Sequence, residues 1–301
     1  MRFSFTTIRL ALKNSYQKKG RALLLFCLAL CMLSAKPIEH TVIVIDARSI
    51  LTALFKSVDN VKTLTYTMSH SERMDDGRIF SDSSKVRSQR SPHKIFMKMS
   101  DGAEVLWIDG ANNGNAWVHP SSFPYVTLEL DPDGSIMRKN QHHGVQYAGY
   151  DYFKAVLKQS ADKAGKNFDA HFLYVGEIVY QGISCYNILA LDRDYGYIPY
   201  TVQKGETVLS IAKKLWLSEF MIMEHNKLNS FTDIKTGQTI MVPTDYGKLI
   251  TLYIDKTTML PLLIRVDDEK GLFEQYIFRH VKIDPTLPAD AFSKECKEYH
   301  F

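Results

Sequence analysis

The sequence predicts an α+β protein, a meander of antiparallel strands behind one amphipathic helix, interrupted by a compact strand–helix–helix–strand module. Three observations predict this. Short alternating apolar runs, parted by turn residues, recur at fairly even spacing over most of the chain. Ile50, Leu51, Leu54, Phe55 and Val58 repeat at helical spacing and make one apolar stripe. Between Tyr200 and Pro243 the pattern changes to strand, two helical segments and strand.

The chain opens on a basic leader. Residues 1–35 contain no acid, and Arg2, Arg9, Lys13, Lys18, Lys19 and Arg21 precede the apolar run Ala22–Leu33. That run is shorter than the about 20 residues a membrane helix needs. It ends in Ser34-Ala35, a small-residue cleavage pattern, so residues 1–35 read as a secretory signal peptide. A lipoprotein site at Leu28-Ala29-Leu30-Cys31 and an uncleaved anchor are the other two readings. Cleavage removes six of the 37 basic residues and leaves 31 against 33 acidic ones. The mature balance of −2 gives no support for nucleic-acid binding. Export points to the periplasm.

Cys27 and Cys31 leave with the leader, and Cys185 and Cys296 remain in a compartment that permits disulfides. A bridge between them would tie the tail to a strand; the alternative is two buried free thiols. No CxxC or Cys/His metal spacing occurs.

From Asp46 onward a globular domain begins with the striped helix. Strands are expected at Leu64–His70, Ile95–Met99, Glu104–Ile108, Asn115–Val118 and Val126–Leu130. Another, Ile136–Lys139, would follow the Asp131-Pro132-Asp133-Gly134 hairpin turn. The polar stretch Asp75–Pro92 reads as an exposed loop with an edge strand near Ile79 and Val86. A helix over Tyr150–Gln159 and strands at Phe168–Tyr180 and Ser184–Asp192 follow. After Pro243 the meander resumes with Leu249–Asp255, Leu260–Asp267 and Phe273–Ile283.

Within Tyr200–Pro243, Lys204-Gly205 ends the first strand at a glycine turn. Thr207 caps a helix carrying Leu209, Ile211, Ala212 and Leu215, and Ser218 caps a second ending near Asn226. Gly237-Gln238 turns the chain into Thr239–Val242, stopped by Pro243. The order Tyr200/Val202, Lys204-Gly205-Glu206-Thr207, Ser210-Ile211-Ala212, Asn226, Gly237-Gln238, Ile240, Val242, Pro243 resembles a LysM domain. Val208-Leu209 and Leu215-Trp216-Leu217 depart from the family, which usually has Tyr-Gly between the helices. The resemblance implies a module that binds N-acetylated glycans, mostly peptidoglycan, in a shallow groove. The loop Gly205, Glu206, Thr207, Val208, Leu209 and the loop Lys227, Leu228, Asn229, Phe231 are the candidate glycan-binding residues. Val208, Leu209 and Leu228 read equally as core of the small module, and Gly205 and Thr207 as turn and cap.

The remainder resembles a second family. Tyr253-Ile254-Asp255-Lys256, Leu260-Pro261, Arg265, Asp268–Gly271, Phe278 and Pro285–Phe292 stand in the order found in periplasmic lipoprotein carriers of the Lol type. This resemblance implies a curved antiparallel half-barrel sheet with covering helices and an apolar cavity between them for a lipid or lipoprotein acyl chain. Candidate lining residues are Tyr66, Met68, Phe96, Trp107, Trp117, Leu128, Leu252, Ile254 and Ile264; packing in a closed core is the alternative for each. The domain order is then signal peptide 1–35, sheet domain 36–198, LysM domain 199–244 and sheet domain again 245–301.

Catalytic sets are not apparent. His142-His143, with His119 and Asp151 near in sequence, would point to opposite faces of a strand and so read as an exposed polar loop rather than metal ligands. Glu104 and Glu129 read as single outward-facing charges on strands. No G-x-S-x-G, phosphate loop or zinc pattern occurs. The expectation is a non-enzymatic periplasmic protein without cofactor or metal. It would hold peptidoglycan through its module and a hydrophobic ligand through its sheet. An envelope sensor with a protein partner and a wall-remodelling enzyme are the alternatives.

Overall fold

The computed structural model describes residues 45–301. The signal-peptide reading, with Cys27 and Cys31, lies outside the described residues. Helix α1 (Ala47–Asn60) starts where Asp46 caps it. The Asp46 carboxylate accepts from Ser49 N at 2.7 Å, and Asp46 N donates to Ser49 Oγ at 3.1 Å, so two otherwise orphaned donors are satisfied reciprocally. Its stripe of Ile50, Leu51, Leu54 and Val58 is buried.

Six strands follow, β1 (Thr63–Arg73), β2 (Ile79–Gln89), β3 (Lys94–Met99), β4 (Glu104–Ile108), β5 (Ala116–His119) and β6 (Leu128–Leu130). After them come α2 (Asp151–Ala164), the short α3 (Phe168–His171), β7 (Phe172–Tyr180) and β8 (Ile183–Leu191). The inserted module holds β9 (Tyr197–Thr201), α4 (Val208–Leu215), α5 (Glu219–Asn226) and β10 (Thr239–Pro243). The last strands are β11 (Leu249–Asp255), β12 (Pro261–Asp268) and β13 (Gly271–Ile283). Eleven strands form one curved antiparallel sheet in the order β6-β5-β4-β3-β2-β1-β13-β12-β11-β8-β7, while β9 and β10 pair on their own. The α+β class expected from the alternating runs is the class observed.

Period-two alternation puts every second side chain of the sheet under the helices. On that face the α1 stripe and Phe153, Val156 and Leu157 of α2 meet Leu64, Tyr66, Val86, Ile95, Leu252, Ile254, Ile264 and Phe278 in the main core. On the opposite face, at the β3–β4 end, the C-terminal residues fold back. Cys296 and Tyr299 bury Phe96 and Leu106, and the Tyr299 ring stacks on Phe96 with centroids 3.7 Å apart.

The module leaves the sheet between two strands that are themselves neighbours. β8 and β11 pair from Leu191–Leu249 to Cys185–Asp255. The neck is closed by Asp192 N donating to Lys248 O at 3.0 Å and Thr244 N to Gly196 O at 2.9 Å.

Five expectations are corrected. Asp75–Pro92 is not an exposed loop with an edge strand, since the strand near Ile79 and Val86 is the long inner strand β2, Ile79–Gln89, with β1 on one side and β3 on the other. Ser81, Ser83, Lys85 and Arg87 occupy the face away from the helices, and Ser84, Val86 and Ser88 are buried on the other, so polarity misled. Ile136–Lys139 is not a strand; it lies in consecutive turns, with Ile136 exposed and Arg138 buried. Phe96 and Trp117 do not face the helices. Each is one residue out of step with Ile95 and Ala116, which do, and that single step reverses the face. Cys185 and Cys296 are free. Cys185 lies on β8 and Cys296 packs on β3 and β4, six strand positions apart in the sheet, roughly 29 Å at about 4.8 Å per strand and far beyond disulfide reach. Glu104 is fully buried rather than outward-facing, bound by Lys98 Nζ at 2.9 Å and by His300 N at 2.8 Å.

Candidate functional site

In the module, Gly205 takes φ +81°, the left-handed conformation that closes the turn after β9. Thr207 then caps α4. Ser210 N donates to Thr207 Oγ1 at 3.1 Å, and Thr207 N donates to Ser210 Oγ at 2.9 Å. Glu206 fixes the loop beneath. It accepts from Gln203 N at 2.8 Å, from Tyr200 Oη at 2.8 Å and from Lys214 Nζ at 3.1 Å. The Gln203 amide leads these in holding the carboxyl below its usual range. Asn226 ties the second helix to the last strand, donating to Ile222 O and Met241 O and accepting from Met241 N at 2.8 Å. Val202, Val208, Ile211, Ala212, Leu217, Ile222, Ile240 and Val242 form its own small core.

The two loops singled out from sequence meet. Val208 N donates to Phe231 O at 2.8 Å, which locks the start of α4 to the loop after α5. Gly205, Lys227 and Asn229 are exposed; Glu206, Thr207, Leu209, Leu228 and Phe231 are half-buried. Val208 is fully buried and belongs to the core. The exposed and half-buried residues of the two joined loops make the rim of the module.

Residues 200–243 match the family model described as LysM domain. This segment is a LysM domain. Residues 61–190 match a second model, described as Protein of unknown function (DUF1571). No curated protein matches the chain. Among solved structures, the Pseudomonas aeruginosa MucA/MucB complex is similar at a TM-score of 0.39 and 14% identity, covering 82% of this chain and 60% of that one. The Mycobacterium tuberculosis lipoprotein LppX gives 0.37 and 13%, covering 80% and 97%. A LolA superfamily protein from Nitrosomonas europaea gives 0.28 and 8%, covering 83% and 98%. The chain thus spans about 60% of the MucB-containing chain.

The LysM domain is clamped to its host, chiefly through α5. Met221 is buried in the host core, with Trp216 and Phe220 packed beside it. Glu224 accepts from Arg73 Nη2 at 3.3 Å and Lys270 Nζ at 2.6 Å, while Arg73 also binds Asp268 at 2.9 Å. Arg138 donates to Glu219 and to His142 O, and its guanidinium lies 5.4 Å from the Phe220 ring and 5.5 Å from the Phe231 ring. The host loop thereby touches the wall of the LysM rim itself.

Behind this contact lies a buried polar cluster. His142 and His143 converge on one carboxylate. His142 Nδ1 is 3.0 Å from Glu274 Oε2, and His143 Nε2 is 3.3 Å from it. The expected opposed strand faces do not arise, because the pair sits in a bend, and His142 is 1% exposed rather than in an exposed loop. His142 Nε2 faces Arg73 O at 2.9 Å, so both ring nitrogens meet pure acceptors and the ring is an imidazolium. Burial opposes that charge, but Glu72 and Glu274 outweigh it and raise His142 above the usual histidine range. Burial likewise works against the Glu274 carboxylate, yet His143 and His142 hold it well below its usual range. Tyr246 Oη donates to Glu274 at 2.7 Å and Tyr276 Oη to Glu72. Glu72, His142 and Glu274 lie close enough together to be a set of metal ligands, and here they bind one another and the tyrosine hydroxyls. Sequence reasoning missed this cluster and Arg138. Their spacing carries no motif, since four separate segments supply them.

Of the expected hydrophobic-ligand residues, Tyr66, Leu252, Ile254 and Ile264 are buried in the main core, and Met68 and Trp107 pack at its margin. Leu128 is half-buried on β6. Met68 borders a cavity of about 40 Å³, with Met97, Met99 and His70 among its other walls. That is room for a water-sized group, not for an acyl chain.

Proposed function

We propose that this protein holds peptidoglycan, or a related N-acetylated glycan, through its LysM domain, without chemistry of its own, in the bacterial periplasm. The observation that carries this reading is the pairing of the two LysM loops across the Val208–Phe231 hydrogen bond. It leaves Gly205, Leu209, Lys227 and Asn229 along one rim beside exposed backbone. Such a rim suits an acetamido group, which presents a donor, an acceptor and a methyl together. The sheet domain is the rigid base of the module. A hydrophobic ligand between the sheet and α1–α2 requires those helices to move apart, because the space there is filled by the protein's own side chains. Among the described residues no helix is long and apolar enough to cross a membrane.

Co-sedimentation with purified sacculi tests the reading. The wild-type chain is expected in the pellet, and Asn229→Trp, which places a bulky ring on the rim, in the supernatant. Equal retention of a folded Asn229→Trp variant refutes the rim; failure of the wild type to sediment refutes wall binding. Release of soluble muropeptides by the pure protein would refute the non-catalytic reading.

A further inference from the structure

We propose that the glycan site does not end at the LysM loops but continues into a second sugar subsite built jointly by the LysM domain and its host. This rests on the glycan-binding reading above. Helix α4 turns Leu209, Lys213 and Trp216 away from the LysM core, at helical spacing. Facing them are Tyr147, from the loop ahead of α2, and Tyr152, from the first turn of α2. Between the two walls is a cavity of about 280 Å³, with Glu219 at its edge. That is just below the roughly 300 Å³ where small-molecule sites begin, so it has room for one sugar ring and not for a chain of them.

The walls suit a pyranose. Its C–H faces stack on aromatic planes, and its hydroxyl and acetamido groups need polar partners at the edge. Trp216 and Tyr152 pack against each other, 6.0 Å apart by centroid and tilted at 47°, and both line the cavity. The polar groups are already placed. Lys213 Nζ is held by Asp133 at 2.7 Å and lies 5.8 Å from the Tyr147 ring, and Glu219 is fixed by Arg138. An acyl chain would set methylenes against the Lys213 and Glu219 charges and strip them of water. A sugar hydrogen-bonds to both.

Two features join this cavity to the LysM rim. Leu209, in the first turn of α4, belongs to both. Arg138 binds Glu219 at the cavity and covers the Phe231 ring at the rim. Trp216 itself takes φ 55°, a left-handed conformation that an aromatic residue rarely adopts, at the C-terminal end of α4.

Calorimetric titration of the full chain with short and long oligomers of N-acetylglucosamine tests the subsite. Trp216→Ala and Tyr147→Ala are each expected to weaken the long oligomer about tenfold, as one lost aromatic contact of about 1.5 kcal/mol would, and to leave the short one unchanged. Asn229→Trp is expected to lose both. Unchanged long-oligomer affinity in both aromatic variants, with Asn229→Trp still defective, overturns the subsite and leaves the LysM reading standing. Equal losses at every length in the two aromatic variants also overturn it, since that is the mark of a damaged module. No binding by the wild type overturns both.

Discussion

The junction between LysM domain and host has two unlike halves. On one side Glu72, His142, Glu274, Arg73 and Arg138 form a buried, densely cross-bonded charge cluster, with Phe273 and Phe220 stacked on His142 at centroid distances of 4.3 and 4.8 Å. On the other, Tyr152 touches both Tyr147 and Trp216, at centroid distances of 5.0 and 6.0 Å, and the three rings line a cavity of about 280 Å³. Burying charge is costly unless each group is paired, so the first half tolerates little movement. Aromatic walls with a cavity between them impose no such constraint. The difference teaches that one half holds the module on its host by paired charge, while the other leaves the room that the proposed subsite would use.

The comparison can be broken most directly at Glu274. Glu274→Ala leaves the His142 imidazolium buried without its carboxylate and should destabilise the protein by about 3–5 kcal/mol, read by denaturant unfolding. A loss under about 1 kcal/mol would mean that the cluster does not hold the junction. A second test uses pH. His142 is raised in the folded state, so its stabilisation is complete below the ordinary histidine value of about 6.5 and disappears as pH climbs through the raised folded value. Glu274 is depressed, so its share is present above about 4.5 and fades as pH falls toward its folded value. The melting temperature should therefore peak between mildly acidic and neutral pH and decline on the alkaline side, and His142→Gln should flatten that decline. A decline of the same steepness in His142→Gln would assign it to other groups. The smallest effect belongs to the open half. Lys213 is 42% exposed at its side chain, and Lys213→Ala should change stability by no more than about 1 kcal/mol. A larger loss would show that the pocket wall is structural after all.

Much of this architecture could be read from the chain because it rests on local rules. The α1 stripe, the Thr207 cap, the Gly205 and Gly237 turns and the strand order of the LysM segment each depend on neighbours within a few residues. What failed depends on partners far away. β2 looked like a loop with an edge strand because Ser81, Ser83, Lys85 and Arg87 are polar. Only its burial between β1 and β3 identifies it as an inner strand. Phe96 and Trp117 were assigned to the wrong face because the tail that covers them lies almost two hundred residues on. His142 and His143 converge because a bend, not a strand, carries them, and no pairwise spacing announces the Glu274 they share. Within the site, the LysM loops were legible as a family pattern, but Val208 proved core, and the host residues that complete the rim carried no local signal at all.

The neck through which the module emerges has a mechanical meaning. Asp192 and Lys248 exit side by side from two adjoining strands and remain hydrogen-bonded to each other. Tension applied through a grasped polymer would enter the sheet along a paired stalk with no slack, and both arms would share it. A module held on two paired arms moves with its sheet, where one hung from a terminal tail would swing.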